Sequence, residues 1–330
     1  MRAVLPLVEE RGFFCGVPVT RLQGAANAHS CRFDMVRSAG PEGDAAGLAT
    51  WRFLKELPGW DLIELHDVPQ DGALEGLLEA ARLDAFPVGR KQSVASPYVP
   101  LYGLGDGPDP WLLRTSANFR SNVRRKGRQL RSRGQLTLRR SDQADPALLQ
   151  TFYDLESLGW KGKQETAIAC HKSTRQFYDE IALNGERYGY LTLYFLEFDG
   201  HPVAAQFGIT YGGRYFMPKL AINEEYRPYG PGHLLINEIL RDCVSRGILE
   251  YDFTGPWAEY KAKWTSANRA HSNFWIFRKG AAGQLLHAMK FKVEAGLKET
   301  LRPWVHAVRN GGAPHAGGPR VKSLPRPSPV

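Results

Sequence analysis

Between Tyr215 and Lys261 the chain spells out an ordered set of elements: an apolar strand, the run Arg227-Pro228-Tyr229-Gly230-Pro231-Gly232, a helix, a second strand ending near Asp252, and the pair Tyr260-Lys261. An R-x-x-G-x-G run between a strand and an amphipathic helix presents backbone N–H groups and a positive helix end to an anion. The stretch therefore predicts transfer chemistry from a phosphate-bearing donor. Pro228 and Pro231 cannot donate, so the cradle is expected from Tyr229, Gly230, Gly232 and His233 with Arg227 at its edge.

The 330 residues are enough for two domains that each bury a core. No apolar run approaches the ~20 residues of a membrane span, and the first residues lack the apolar core of a signal peptide, so a cytoplasmic protein is expected. Cys15, Cys31, Cys170 and Cys243 are scattered, with no C-x-x-C and no histidine at ligand spacing. They read as reduced thiols, and no metal is expected.

The net charge of +9 is local: ten Lys or Arg and no acid lie between Trp111 and Ser141, and the rest of the chain is nearly balanced at 33 basic against 34 acidic residues. Ser116 is an N-cap for a helix to about Arg133, with Phe119, Val123 and Leu130 on one narrow stripe. The remaining surface is cationic, and like charges four apart, such as Arg120 with Arg124, oppose the helix. Two readings stand, a solvated face or a polyanion-binding one, with Arg124, Arg125 and Arg128 as contacts for a nucleic acid such as tRNA.

In order, the first fifty residues read as short strands and loops, with a weakly patterned Gly/Ala-rich piece from Gly40 to Gly47. A strand over 60–68, a helix over about 73–86 and an extended segment over 92–101 make a β-α-β unit. After the basic helix come a short strand over 136–139 and helices over about 146–159 and 173–183. Strands over 188–198, 202–211 and 215–222 follow, joined by Asp199-Gly200 and Gly212-Gly213 turns. The helix after Gly232 runs to Arg246. Strands over 248–254 and 272–277 and a helix over about 284–306 close the pattern, and a Gly/Pro-rich tail is expected to be disordered. Lys219 alternates with Tyr215 and Met217, which predicts a shared strand face.

The order of elements over residues 135 to 300 resembles the GNAT acyltransferases. The S-N-V-R-R-K-G-R-Q-L-R-S-R-G helix, Gly159-Trp160-Lys161, Pro231-Gly232, Tyr251-Asp252-Phe253 with Gly255, and Y-K-A-K-W at Tyr260 to Trp264 look like the BioF2-like branch, also seen in CelD-type proteins. That branch is similar to the FemAB peptidyltransferases, which carry two GNAT-like domains in tandem. The resemblance implies an α/β (α+β) fold with a mixed, largely antiparallel sheet flanked by helices. Its parts would be a degenerate first copy over 1–115, a basic connecting helix over 116–134, an acyltransferase domain over 135–308 and a tail over 309–330.

It also implies acyl-CoA, acetyl-CoA above all, as co-substrate, with its pyrophosphate on the Arg227–His233 turn. Acyl transfer needs stabilisation of an oxyanion and a proton for the leaving group. Lys261 resembles the lysine of the F-K-x-x-F motif in FemAB-type proteins and would act electrostatically, while Tyr260 could protonate the leaving thiolate. Asp252 could orient the acceptor, act as base, or be tied in a salt bridge. Trp160, Lys161, Tyr215 and Lys219 are candidate acceptor contacts. The acceptor would be a small molecule, polysaccharide or envelope precursor. Two alternatives remain: an aminoacyl-tRNA-dependent transferase of FemAB type, and a GNAT-fold binding protein without catalysis.

Overall fold

The computed structural model describes residues 1–158 and 167–293. Gly159-Trp160-Lys161, the far end of the closing helix and the tail from residue 309 lie outside the described residues. The first half runs β1 (Ala3–Val4), β2 (Leu7–Phe14), β3 (Val17–Gly24), β4 (Val36–Arg37), α1 (Pro41–Glu56), β5 (Leu62–Pro69), α2 (Glu75–Leu83) and β6 (Val88–Pro100). The basic helix α3 (Ala117–Arg131) leads to β7 (Leu136–Ser141), α4 (Pro146–Ser157), α5 (Lys172–Tyr188), β8 (Leu191–Phe198), β9 (His201–Tyr211) and β10 (Arg214–Ile222). Helix α6 (Pro231–Ser245), β11 (Glu250–Asp252), the short α7 (Glu259–Ala262), β12 (Asn268–Phe277) and α8 (Ala281–Ala288) follow.

Ten strands form one sheet in the order β2-β3-β5-β12-β6-β11-β10-β9-β8-β7. Each half repeats a plan. An antiparallel hairpin (β2-β3, β9-β10) is followed by a helix and by a strand parallel to the hairpin's second strand over only three residues. A second helix and a long strand complete the unit. The long strands are exchanged: β6 pairs with β11 of the second half, β12 pairs with β5 of the first, and the two pair with each other at the centre. Neither half keeps a free edge at the seam. All contacts except β3·β5 and β10·β11 are antiparallel, as the mixed, largely antiparallel sheet flanked by helices requires.

Local chemistry explains most elements. Asp199-Gly200 and Gly212-Gly213 sit at positive φ in two-residue hairpin turns, whose twist matches the flanking strands. Ser116 Oγ accepts the Phe119 N–H and Asp145 caps Ala147, fixing the starts of α3 and α4. In β8 alternate residues serve opposite faces. Tyr194 and Leu196 join the cluster under α3 and α6, while Leu193 and Phe195 join the one under α4 and α5. Both faces are covered, so the strand reads as a continuous apolar run.

The largest departure from expectation is in the first fifty residues, where the short strands and loops expected are instead the long β2-β3 hairpin and the sixteen-residue helix α1. The Gly/Ala-rich piece conceals the helix because its glycines answer to tertiary contacts. A Cβ on Gly43 would lie 1.8 Å from the Ser38 carbonyl oxygen, and one on Gly47 would touch Met35. Only Trp51 and Leu54, further along, show the buried face.

A buried ion cluster sits where the halves meet. The Arg269 guanidinium on β12 donates to both Glu250 oxygens at 2.9 Å, to Asp252 Oδ2 at 2.8 Å and to Asp71 at 3.0 and 3.1 Å. It also lies 4.6 Å from the Tyr98 ring centroid. Burial works against its charge, but the surrounding carboxylates more than offset this and raise its pKa. Replacing one partner of such a cluster leaves buried charge uncompensated. Arg269→Met is expected to cost about 3–5 kcal/mol, read as a lower urea midpoint, with Arg269→Lys intermediate.

Candidate functional site

Strands β10 and β11 run side by side for only three pairs, ending at Phe216 and Asp252, and then part. Two local features drive them apart. In β10, Phe216 faces Ile209 but Lys219 faces Phe207, a bulge that takes in Met217 and Pro218. After β11, Thr254 and Gly255 take positive φ and turn the chain away. That turn is pinned from both sides: Asp252 Oδ1 accepts the Thr254 N–H at 2.8 Å, and Thr254 Oγ1 donates to the Met217 carbonyl at 2.6 Å.

The split opens a cavity of about 640 Å³. Its walls are the bulge, the 253–256 turn, the start of α6, Tyr260 and Lys261, with Cys31 reaching in from the first half. A second cavity of about 310 Å³ adjoins it across Cys31, Pro218 and Thr254 and is walled by His29, Phe177, Tyr178 and Phe216. A third, of about 400 Å³, lies between α3 and α6 and meets the first at Lys126, Gly230 and His233.

Lys261 is buried, and its Nζ donates to the Thr254 carbonyl at 2.6 Å and the Pro256 carbonyl at 2.9 Å. Burial lowers its pKa, while Cys31 and Asp252 act in the opposite sense. Tyr260 is pushed up to about 12 by burial, so its hydroxyl carries its proton at neutral pH. His233 accepts the Trp264 indole N–H on Nδ1 at 3.1 Å. An indole nitrogen only donates, so this contact places the imidazole proton on Nε2. Burial first, then Lys263 and Lys126, lower the His233 pKa to about 4, and the ring is neutral at physiological pH.

The turn is less of a backbone cradle than the sequence predicts. Gly230 caps α6 at φ 62°, but its N–H donates to the Arg227 carbonyl, and the His233 N–H donates to the Gly230 carbonyl. Tyr229 offers its hydroxyl and ring to Arg133 instead. Arg227 is 77% exposed at the rim, 3.2 Å from Glu224, while Gly232 lies in the wall at the helix start. Positive charge is restored from the basic helix: the Lys126 side chain runs past Gly230 and lines both cavities there. Arg120, Arg131 and Arg133 are tied to backbone carbonyls, Glu238 and Tyr229, whereas Arg124, Arg125 and Arg128 are exposed.

Three expected site residues are placed differently. Tyr215 is a core residue: fully buried, stacked on Tyr251 at 5.1 Å and donating to Gln206 Oε1 at 3.1 Å. Lys219 does not share its face, because the bulge shifts the alternation. It points toward Glu156 at 3.9 Å and the Tyr178 ring at 5.6 Å, although it still borders the large cavity. Asp252 is 2% exposed with one oxygen on the Thr254 N–H and the other on Arg269, so it is committed to structure rather than free to act as base. Burial raises its pKa against the opposing pull of its bonds and cations. Trp160 and Lys161 lie outside the described residues. Cys31 and His29 join the site without a signal of their own in the sequence, because long-range pairing brings them there, while Lys126 comes from the basic helix and Pro218 marks the bulge.

Residues 117–262 match the family model described as an acetyltransferase (GNAT) domain. With the split parallel pair and the helix start beside it, this match gives that part of the chain a GNAT-type fold and supports an acyltransferase. No curated protein matches its sequence. Among solved structures it is similar to FemX, with 14% identity, TM-score 0.56 and coverage of 87% of each chain. It is also similar to L-PGS from Bacillus licheniformis, with 11% identity, TM-score 0.55, and coverage of 86% of this chain and 84% of that one. A third likeness is the C-terminal DUF2156 domain of an Agrobacterium fabrum protein, with 13% identity, TM-score 0.53, and coverage of 87% and 85%. At these identities the likenesses establish the fold. Among the described residues no cluster of His, Cys, Asp and Glu could hold a metal, and no helix is long and apolar enough to cross a membrane.

Removing the Lys261 ammonium strips donors from two carbonyls that turn the chain at the cavity wall. Lys261→Met is expected to lower stability by about 1–3 kcal/mol, measured by urea unfolding, with Lys261→Arg retaining part of it.

Proposed function

We propose that the protein is an acyl-CoA-dependent N- or O-acyltransferase. The observation that carries this reading is a single cavity of about 640 Å³ joining the positive start of α6 to Lys261 and Tyr260 across the β10/β11 split. The donor pyrophosphate would lie at Gly230 and Gly232, favoured by the helix dipole, Lys126 and Arg227. The thioester would reach the split between the bulge and Thr254. There the Lys261 charge stabilises the negative charge that develops on the carbonyl oxygen, and Tyr260 supplies a proton to the departing thiolate.

The acceptor, an amine or hydroxyl on a small molecule, saccharide or envelope precursor, would enter through the smaller aromatic-walled cavity, with Trp160 and Lys161 as further contacts. Acetyl-CoA is the donor of first choice, and the chemistry requires no metal. The site needs no membrane segment and suits a cytoplasmic enzyme.

A second reading has its own observation. Arg124, Arg125 and Arg128 form an exposed basic face on the same helix that delivers Lys126 to the cavity. An aminoacyl-tRNA donor, as in FemAB-type transferases, would place its phosphates along that face and its acylated end in the same split.

Acetyl-CoA at a hundredfold excess over its Kd is expected to add about 2.7 kcal/mol of stability, read as a rise in melting temperature. The Lys126→Met/Arg227→Ala double variant should lose most of that rise. No rise with acetyl-CoA, together with low-salt retention of tRNA that is lost when Arg124, Arg125 and Arg128 become Glu, would replace the first reading with the second.

A further inference from the structure

The acyl-transfer reading leaves one chemical role unfilled, the group that takes a proton from the attacking acceptor. Asp252 is held by Arg269 and the Thr254 N–H. Glu156 is buried, accepts the Ile168 N–H at 2.9 Å and faces Lys219. His233 lies at the donor end with Nδ1 occupied by Trp264. His271 is buried in the central strand against the Arg269 carbonyl. Lys261 is a donor to two carbonyls.

His29 differs from all of these. It belongs to the loop after β3, in the first half, yet its ring lines the smaller cavity of the second half. The ring packs edge-on to Tyr178 at 5.6 Å and beside Phe177 at 5.9 Å. Among the described residues neither ring nitrogen has a hydrogen-bond or ion-pair partner, whereas the backbone around it is tightly held. Asn27 Oδ1 accepts the His29 N–H at 2.9 Å, and the Cys31 thiol lies 3.6 Å from the His29 carbonyl. Arg32 anchors the loop end to Asp252 at 3.7 Å and lies 5.4 Å from the Phe216 ring centroid. Two residues beyond His29, Cys31 stands where the two cavities meet.

We propose that His29 is the general base of the transfer, contributed to the second half's site by the first; this rests on the acyl-transfer reading. As the acceptor's lone pair bonds to the thioester carbonyl carbon, its N–H or O–H proton passes to an imidazole nitrogen of His29. The C–S bond then breaks and the thiolate takes the Tyr260 proton. Solvent afterwards removes the proton from the imidazolium and returns one to Tyr260, so the sum is acylated acceptor plus free thiol.

The electrostatics agree with this role. Burial first, then Lys219, lower the His29 pKa, with Glu156 pulling the other way. Tyr178, Cys31 and Arg32 are the other titratable groups around it. A histidine with a lowered pKa is in its neutral, proton-accepting form at neutral pH. The active form is present above that pKa and is lost as pH falls through it.

The test uses the full chain, acetyl-CoA, and an aniline as probe acceptor, uncharged at neutral pH and flat enough for aromatic walls. His29→Asn and His29→Gln are compared with wild type for acetyl-CoA affinity by calorimetry and for thiol release across pH. The expected result is a loss of kcat of about 100-fold with acetyl-CoA affinity and melting temperature unchanged. The wild-type kcat/KM should rise with pH through a pKa below the ordinary 6.5 to a plateau, a limb both variants lack. Full activity with the same limb in the variants overturns the assignment. So does wild type that binds acetyl-CoA but releases thiol no faster than buffer. Absence of acetyl-CoA binding overturns the acyl-CoA reading itself.

Discussion

The Arg269 cluster is the constraint on which the rest of the molecule depends. Its guanidinium, on a strand exchanged between the halves, is surrounded by Glu250 and Asp252 of β11 and by Asp71 of the first half. Charges buried this deeply are tolerable only when each is matched, so the cluster ties β12 to β11 across β6 and to the segment that follows β5. Asp252 carries the effect into the site. The carboxylate that meets Arg269 with one oxygen holds the Thr254 N–H with the other, and so starts the turn that opens the cavity. Through Arg32 the same carboxylate anchors the loop that brings His29 and Cys31 to the second half. The residue that looked like a candidate base therefore organises the site from behind it.

The repeated plan makes the asymmetry between the halves informative. Both helices that follow a hairpin begin on a positive-φ glycine and a proline, Gly40-Pro41 and Gly230-Pro231. In the first half the opening turn carries Glu42 and Asp44, paired with Arg2 and Arg37, which is the wrong charge for an anion. The ground below it is filled as well: a Cβ on Gly24, at the end of β3, would lie 2.9 Å from the Phe33 ring, which packs into that core. In the second half the corresponding helix start has no acid in its first turn, faces Lys126, and stands beside open space. The first half is a closed unit that lends a strand and a loop, and the second half holds the split.

Residues whose roles depend on neighbours in sequence were legible, and those whose roles depend on pairing across the sheet were not. The hairpin turns at Asp199-Gly200 and Gly212-Gly213, the Ser116 cap and the Gly230-Pro231 helix start declare themselves locally, because φ preferences and caps involve only a few consecutive residues. Lys219 was expected on the face of Tyr215 and Met217 and lies on the other because a bulge changes alternation without a local sign beyond Pro218. Tyr215 was misassigned because a tyrosine on a strand has the same sequence whether it faces a cavity or a core. Helix α1 was missed because its glycines respond to Ser38 and Met35, contacts that exist only in the assembled half.

The sequence alone determined the α/β class, the strand-turn-helix that gathers positive charge, the position of Tyr260-Lys261 and the cationic character of α3, since periodicity, capping and charge are properties of consecutive residues. Tertiary structure decided that the long strands exchange, that Asp252 is spent on Arg269, that Lys126 rather than a full set of free backbone amides lines the cavity at the start of α6, and that His29 faces the second half's cavity. Each of these depends on residues tens to hundreds of positions apart being brought into register by burial of apolar faces and pairing of buried charge, which no local pattern encodes.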